Sequence, residues 1–190
     1  MYKKLVIRLW QFLRFPANAW KMVSEETDTN KTFLSEFFYP LIGLAALTAF
    51  VSAFIDGDLT FREKLTEGIQ LFVVSFGSAF IGLFMSAKIL DWMYVRWFEQ
   101  PSDYTKAQVL TVYALAPVLA VSILTRLISE LFFLKILFLY AFVIIWEAGT
   151  QYYTIDTKKQ GTFTAVSGIV ILFAPLLVEY LLKLMLPGLN

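Results

Sequence analysis

The chain contains no cysteine and no histidine. Their absence removes disulfide frameworks, Cys/His zinc sites, thiol nucleophiles and every histidine-based triad. Charge is also scarce. Only 16% of the 190 residues are charged, and they nearly cancel at a net +1. Soluble domains carry about 25% charged residues. With so little net charge, no global field favours nucleic acid. The glycines are scattered, so no phosphate-cradling loop exists. No cofactor or metal is expected, and carboxylate chemistry is what these absences leave open.

Apolar residues take the place of charge: 58% of the chain is hydrophobic and the mean hydropathy is +0.67. That excess points to lipid as solvent. Five runs, near 38–55, 69–90, 108–128, 131–149 and 163–186, are long enough to cross a hydrocarbon core as helices. They lack the alternation of strands, and only helices or closed barrels satisfy the backbone in lipid. The expected fold is therefore an all-α integral membrane protein. Residues 1–36 form a leader and residues 37–190 a five-helix transmembrane domain. Only Ser129-Glu130, flanked by Arg126, divides the third run from the fourth, which predicts a tight helical hairpin.

With the N-terminus inside, Lys3, Lys4, Arg8, Arg14, Lys21, Lys31, Lys88, Arg96, Lys106, Lys158 and Lys159 fall on the inner side. Arg62, Lys64, Arg126, Lys135 and Lys183 fall on the outer side. The positive-inside rule then places the N-terminus in the cytoplasm and the C-terminus outside a cell (inner) membrane.

The leader reads as a basic amphipathic helix. Lys3, Lys4, Arg8, Gln11 and Arg14 share one side of a wheel, with Ile7 among them, and Leu5, Val6, Leu9, Trp10, Phe12 and Leu13 cover the other. This pattern suits a helix lying in the membrane interface and attracted to anionic lipid. Lys3, Lys4, Arg8, Trp10, Arg14 and Trp20 are the expected interface residues. Pro16 should end the helix, and Asn18 should cap a short second turn holding Trp20 and Val23. A cleaved signal peptide is the rival reading, with Ala17-Asn18-Ala19 as its site. Arg8 interrupts the apolar core such a peptide needs. A helix that only packs against the bundle is the plainer alternative.

Small residues repeat every four positions at Ala45, Ala49 and Ala53, at Ser78, Gly82 and Ser86, and at Ala116 and Ala120. Such stripes let helix backbones approach. Packing within the bundle is the first reading and a homo-oligomer seam the second. Pro40, Pro117 and Pro175 lie in or at the edge of runs, and each should kink its helix.

Charge inside a span is the usual sign of function. Glu147 is the foremost candidate, with Gln151 and Tyr113 completing a polar site; a capped interfacial carboxylate is the competing reading. Glu179 and Lys183 are spaced to pair on one helix face. Asp91, Glu99, Asp103, Glu147 and Asp156 gather on the inner side, either as a lipid-active cluster or as solvated loop charges. Asn30-Lys31-Thr32 matches a glycosylation sequon but falls on the cytoplasmic side.

Short motifs carry a family resemblance. Phe15-Pro16 and Trp20 stand in the leader, Tyr39-Pro40-Leu41 opens the first run, and Val112-Tyr113-Ala114-Leu115-Ala116-Pro117 lies in the third. In these the chain resembles the Yip family of Ypt/Rab-interacting membrane proteins, in its bacterial branch. Pro16, Trp20, Tyr39, Pro40, Tyr113 and Pro117 are the motif residues. The resemblance implies five spans, a cytoplasmic N-terminus and a membrane-organising or trafficking role without enzymatic chemistry. The eukaryotic Asp-Leu and Gly before the first proline are missing and the leader is short, which argues against the family's GTPase partnership. The expectation is a non-enzymatic organiser of membrane or of an unidentified protein partner. A small transporter, channel or lipid scramblase using Glu147 is the alternative.

Overall fold

Apolar runs joined by short polar turns can satisfy their backbone in lipid only as helix, and helix forms throughout. The computed structural model describes residues 2–25, 33–55 and 60–186, with only the backbone described at Tyr2 and Lys4. The sequon at Asn30, and Asp56 and Asp58, lie outside the described residues. Two leader helices come first, α1 (Tyr2–Arg14) and α2 (Pro16–Glu25). A π-helical turn, Phe33–Phe38, leads into α3 (Tyr39–Ser52). Then follow α4 (Phe61–Trp97), α5 (Tyr104–Leu127), a 3₁₀ segment (Ser129–Leu139), α6 (Tyr140–Gln151) and α7 (Thr157–Met185). Among the described residues, five helical runs are long and apolar enough to cross a membrane: Phe33–Ser52, Phe61–Trp97, Tyr104–Leu127, Ser129–Gln151 and Thr157–Met185.

Several boundaries differ from the expected ones for local reasons. The first run starts at Phe33, because the π turn precedes Pro40, which sits in the first turn of α3. There its missing N–H costs nothing. The second helix overruns its apolar run at both ends. Thr60 opens it with a capping box: its amide donates to Glu63 Oε2 at 2.9 Å, and its hydroxyl accepts from the Glu63 amide at 3.5 Å. A capped helix outside hydrocarbon needs no apolar sequence. Pro16 does end α1, but as the first residue of α2, so Asn18 is a helix-interior residue and not a cap.

Pro117 and Pro175 lie within helices assigned as continuous. The third and fourth runs turn back on Ile128 alone, which adopts an extended conformation. The small-residue stripe of α4 faces α7. A Cβ on Gly82 would fall 2.7 Å from the Pro175 Cα, and the Ser86 hydroxyl donates to the Val170 carbonyl at 3.3 Å. The bundle has a leader end, where α4 finishes and α5 and α7 begin, and a far end.

Candidate functional site

At the leader end, α1 and α2 are seated on α5 and α6 by aromatic side chains. Phe12 is fully buried and stacks on Tyr113 with ring centroids 4.1 Å apart. Trp20 is also fully buried, edge-on to both Phe12 and Tyr113 and stacked on Tyr152. Its indole nitrogen donates to the Ile144 carbonyl at 2.8 Å. The carbonyls in the last turn of α1 have no donor of their own helix; that of Leu13 accepts from the Tyr140 hydroxyl at 2.9 Å. Arg8 Nε donates to the Tyr113 hydroxyl at 3.2 Å, with its guanidinium 5.4 Å from the ring centroid.

The expected interface residues therefore divide. Trp20 is a core residue and does not face the bilayer. Arg8 turns toward the bundle. Lys3, Trp10 and Arg14 are exposed, beside exposed Val6, Ile7 and Phe15. Of the family-motif residues, Trp20 and Tyr113 meet directly. Pro117 lies buried one turn beyond Tyr113 on α5, Pro16 starts α2, and Tyr39 lies elsewhere with its ring 6.0 Å from Phe80.

Of the expected polar site, Glu147 and Gln151 lie one turn apart on α6. Tyr113 is enclosed by aromatics, Glu147 is half-buried and Gln151 is exposed. The other inner carboxylates have structural partners. Asp91 accepts from the Asp103 amide at 2.8 Å and from Ser102. Asp103 caps α5 through the Lys106 amide at 2.9 Å, and Asp156 caps α7 through that of Lys158 at 3.0 Å. Glu99 pairs with Lys159 at 2.9 Å, which holds its carboxyl below the ordinary range, first by the hydrogen bond and then by charge. Among the described residues no group of three acidic side chains is placed to hold a metal ion.

The far end holds a feature the sequence reading passed over. A cleft of about 490 Å³ opens among α4, α5, α7 and the 3₁₀ segment. Arg126 lies in it near the end of α5. Helix side chains slant toward their own N-terminus, so the guanidinium reaches back into the bundle. Its Nη1 donates to the Ala45 carbonyl at 3.0 Å and the Ser75 hydroxyl at 2.7 Å. Ser78, Ser122 and Thr125 add hydroxyls to the lining, and Lys135 and Glu179 add charge. Glu179 is paired with Lys183 at 2.7 Å, as their spacing predicts.

The Yip1 domain family model matches residues 10–178. The match takes in most of the leader and nearly all of the five-run bundle. No curated protein and no solved structure matches the chain.

Proposed function

Since the chain belongs to the Yip1 domain family, we propose that it is a non-enzymatic, multi-pass membrane protein that organises membrane or partner proteins from its leader end. The single observation that carries this reading is the division of α1. One side is fixed to the bundle through Phe12, while Lys3, Val6, Ile7, Trp10 and Arg14 stay uncovered. Apolar and basic groups displayed together on a fixed helix suit the surface of an anionic leaflet. The positive-inside rule gives that leaflet as the cytoplasmic face of the cell membrane.

The absence of cysteine makes the test direct. Val6→Cys is labelled with a polarity-sensitive dye, and the chain is reconstituted in phosphatidylglycerol or in phosphatidylcholine vesicles. Apolar emission in the anionic vesicles, lost with Lys3→Glu and Arg14→Glu, is the expected result. A water-like signal in both vesicle types would remove the leader from this role.

The transporter, channel or scramblase reading rests on Glu147, with Gln151 one turn away on α6.

A further inference from the structure

Arg126 is the starting point. A guanidinium has five N–H donors in a planar fork. Here Nη1 serves Ala45 and Ser75, while Nε and Nη2 have no hydrogen-bond acceptor among the described residues. Neither of those nitrogens is among the sealed, orphaned atoms, and Arg126 is a half-buried residue of the cleft lining. In a hydrocarbon setting, unpaired cationic donors call for an anion.

The local charge favours cations. Arg126 and Lys135 both line the cleft against one lining carboxylate, Glu179, which is paired with Lys183 and lies near enough to Arg126 to act on its charge. The 3₁₀ segment explains how Lys135 gets there. At three residues per turn, side chains three apart stack in register. Phe132, Lys135 and Phe138 therefore share an edge, and Lys135 and Phe138 line the cleft together. An α-helix would rotate them out of line. The segment packs against α5 rather than α7, and the α7 lining residues Phe173 and Leu176 are largely exposed. The cleft thus opens sideways, toward where lipid chains would lie. Its volume is within the roughly 300–1,000 Å³ of small-molecule sites.

We propose that this cleft binds the anionic head group of a membrane lipid. The phosphate meets Arg126 Nε and Nη2 and the Lys135 ammonium, and an acyl chain lies along Phe138, Phe173 and Leu176. The fixed Arg126 fork suits a phosphodiester's paired oxygens. Two lining cations face a single carboxylate that Lys183 already engages, so an anionic lipid is preferred to a zwitterionic one.

The test is native mass spectrometry of the full chain in detergent, titrated with phosphatidylglycerol, phosphatidylcholine or inorganic phosphate. Arg126→Gln is the obvious variant but removes two internal hydrogen bonds. Lys135→Gln and Leu176→Trp alter exposed lining groups and leave those bonds in place. The wild type is expected to retain phosphatidylglycerol in preference to phosphatidylcholine, and each of the two variants to weaken it about tenfold. Lys158→Gln, an exposed lysine at the other end of the bundle, is expected to leave this binding unchanged. Equal retention of both lipids would overturn the proposal, as would unaltered binding in Lys135→Gln and Leu176→Trp. Displacement of phosphatidylglycerol by inorganic phosphate would also overturn it, because the site would then serve a soluble anion.

Discussion

The Trp20 indole donates a hydrogen bond to the Ile144 carbonyl at 2.8 Å, tying the leader to the fourth span across 124 positions of sequence. This bond and the burial of the ring make Trp20 a clasp. Trp20→Phe removes the donor and keeps most of the packing, and should cost about 1 kcal/mol. Trp20→Ala also removes the ring and should cost about 3–5 kcal/mol. Thermal unfolding in detergent measures both. Trypsin cleavage at Arg14 and Lys21 should accelerate in Trp20→Ala and hardly change in Trp20→Phe.

Tyr113 is held in two ways, by the Phe12 stack and by the Arg8 hydrogen bond. Tyr113→Phe keeps the stack and loses the hydroxyl that accepts from Arg8 at 3.2 Å. A loss of about 1 kcal/mol is expected. Phe12→Ala should cost more, because a fully buried ring leaves a cavity worth about 3–5 kcal/mol. If the two variants unfold at the same temperature, the stack is not what seats the leader.

Much of this architecture was legible in the sequence, and for a physical reason. Lipid demands about 20 apolar residues per span, so all five runs stand out. Ends were less legible, since the charged start of α4 around Arg62 and Glu63 reads as loop until the Thr60 cap is recognised. The 3₁₀ segment was hidden, because periods of 3.0 and 3.6 cannot be told apart in SELFFLKILFL, where nearly every residue is apolar. Trp20 reads as an interface residue and lies in the core, because an aromatic in either place carries the same sequence signal. Arg126 reads as a turn charge. The slant of helix side chains, with Ser75 and Ser122 available as polar company, was the clue that it points inward.

Gly82 tests the close contact of α4 with α7. A Cβ there would lie 2.7 Å from Pro175 backbone, which cannot yield as a flexible side chain would. Gly82→Ala should destabilise the bundle by about 1–3 kcal/mol through overpacking. Gly43→Ala is the matched comparison, since a Cβ there meets nothing within 4 Å. It should be neutral or stabilising by about 0.4–1 kcal/mol. An equal gain in both variants would mean that helix propensity, and not the α4–α7 contact, sets the result.

Glu99, in the turn after α4 and outside the spans, pairs with Lys159 at the start of α7. The folded Glu99 carboxyl titrates below its unfolded value of about 4.3. Its contribution is therefore complete above that value and is lost as pH falls through the folded one. Both groups are largely exposed, so the effect is small. Unfolding of wild type and Glu99→Gln, compared from about pH 7 down to about pH 3, should show a slight wild-type advantage that disappears at the acid end. An advantage that grows on acidification would have the wrong sign for this pair.

Arg126 and Ser75 offer the sharpest internal test of the far end. Their 2.7 Å contact joins a cation to a neutral acceptor inside the bundle, and hydrogen bonds to charged groups contribute about 1.5–3 kcal/mol. Polar pairs between membrane helices often give less, about 0.6 kcal/mol, because the alternative states also find partners. Ser75→Ala, Arg126→Gln and the double variant form a cycle that isolates the pair. A coupling above about 1 kcal/mol is expected, since the guanidinium is fixed by Ala45 on its other side. A coupling near zero would mean that Arg126 is held by Ala45 alone, and Ser75 would then be a packing residue.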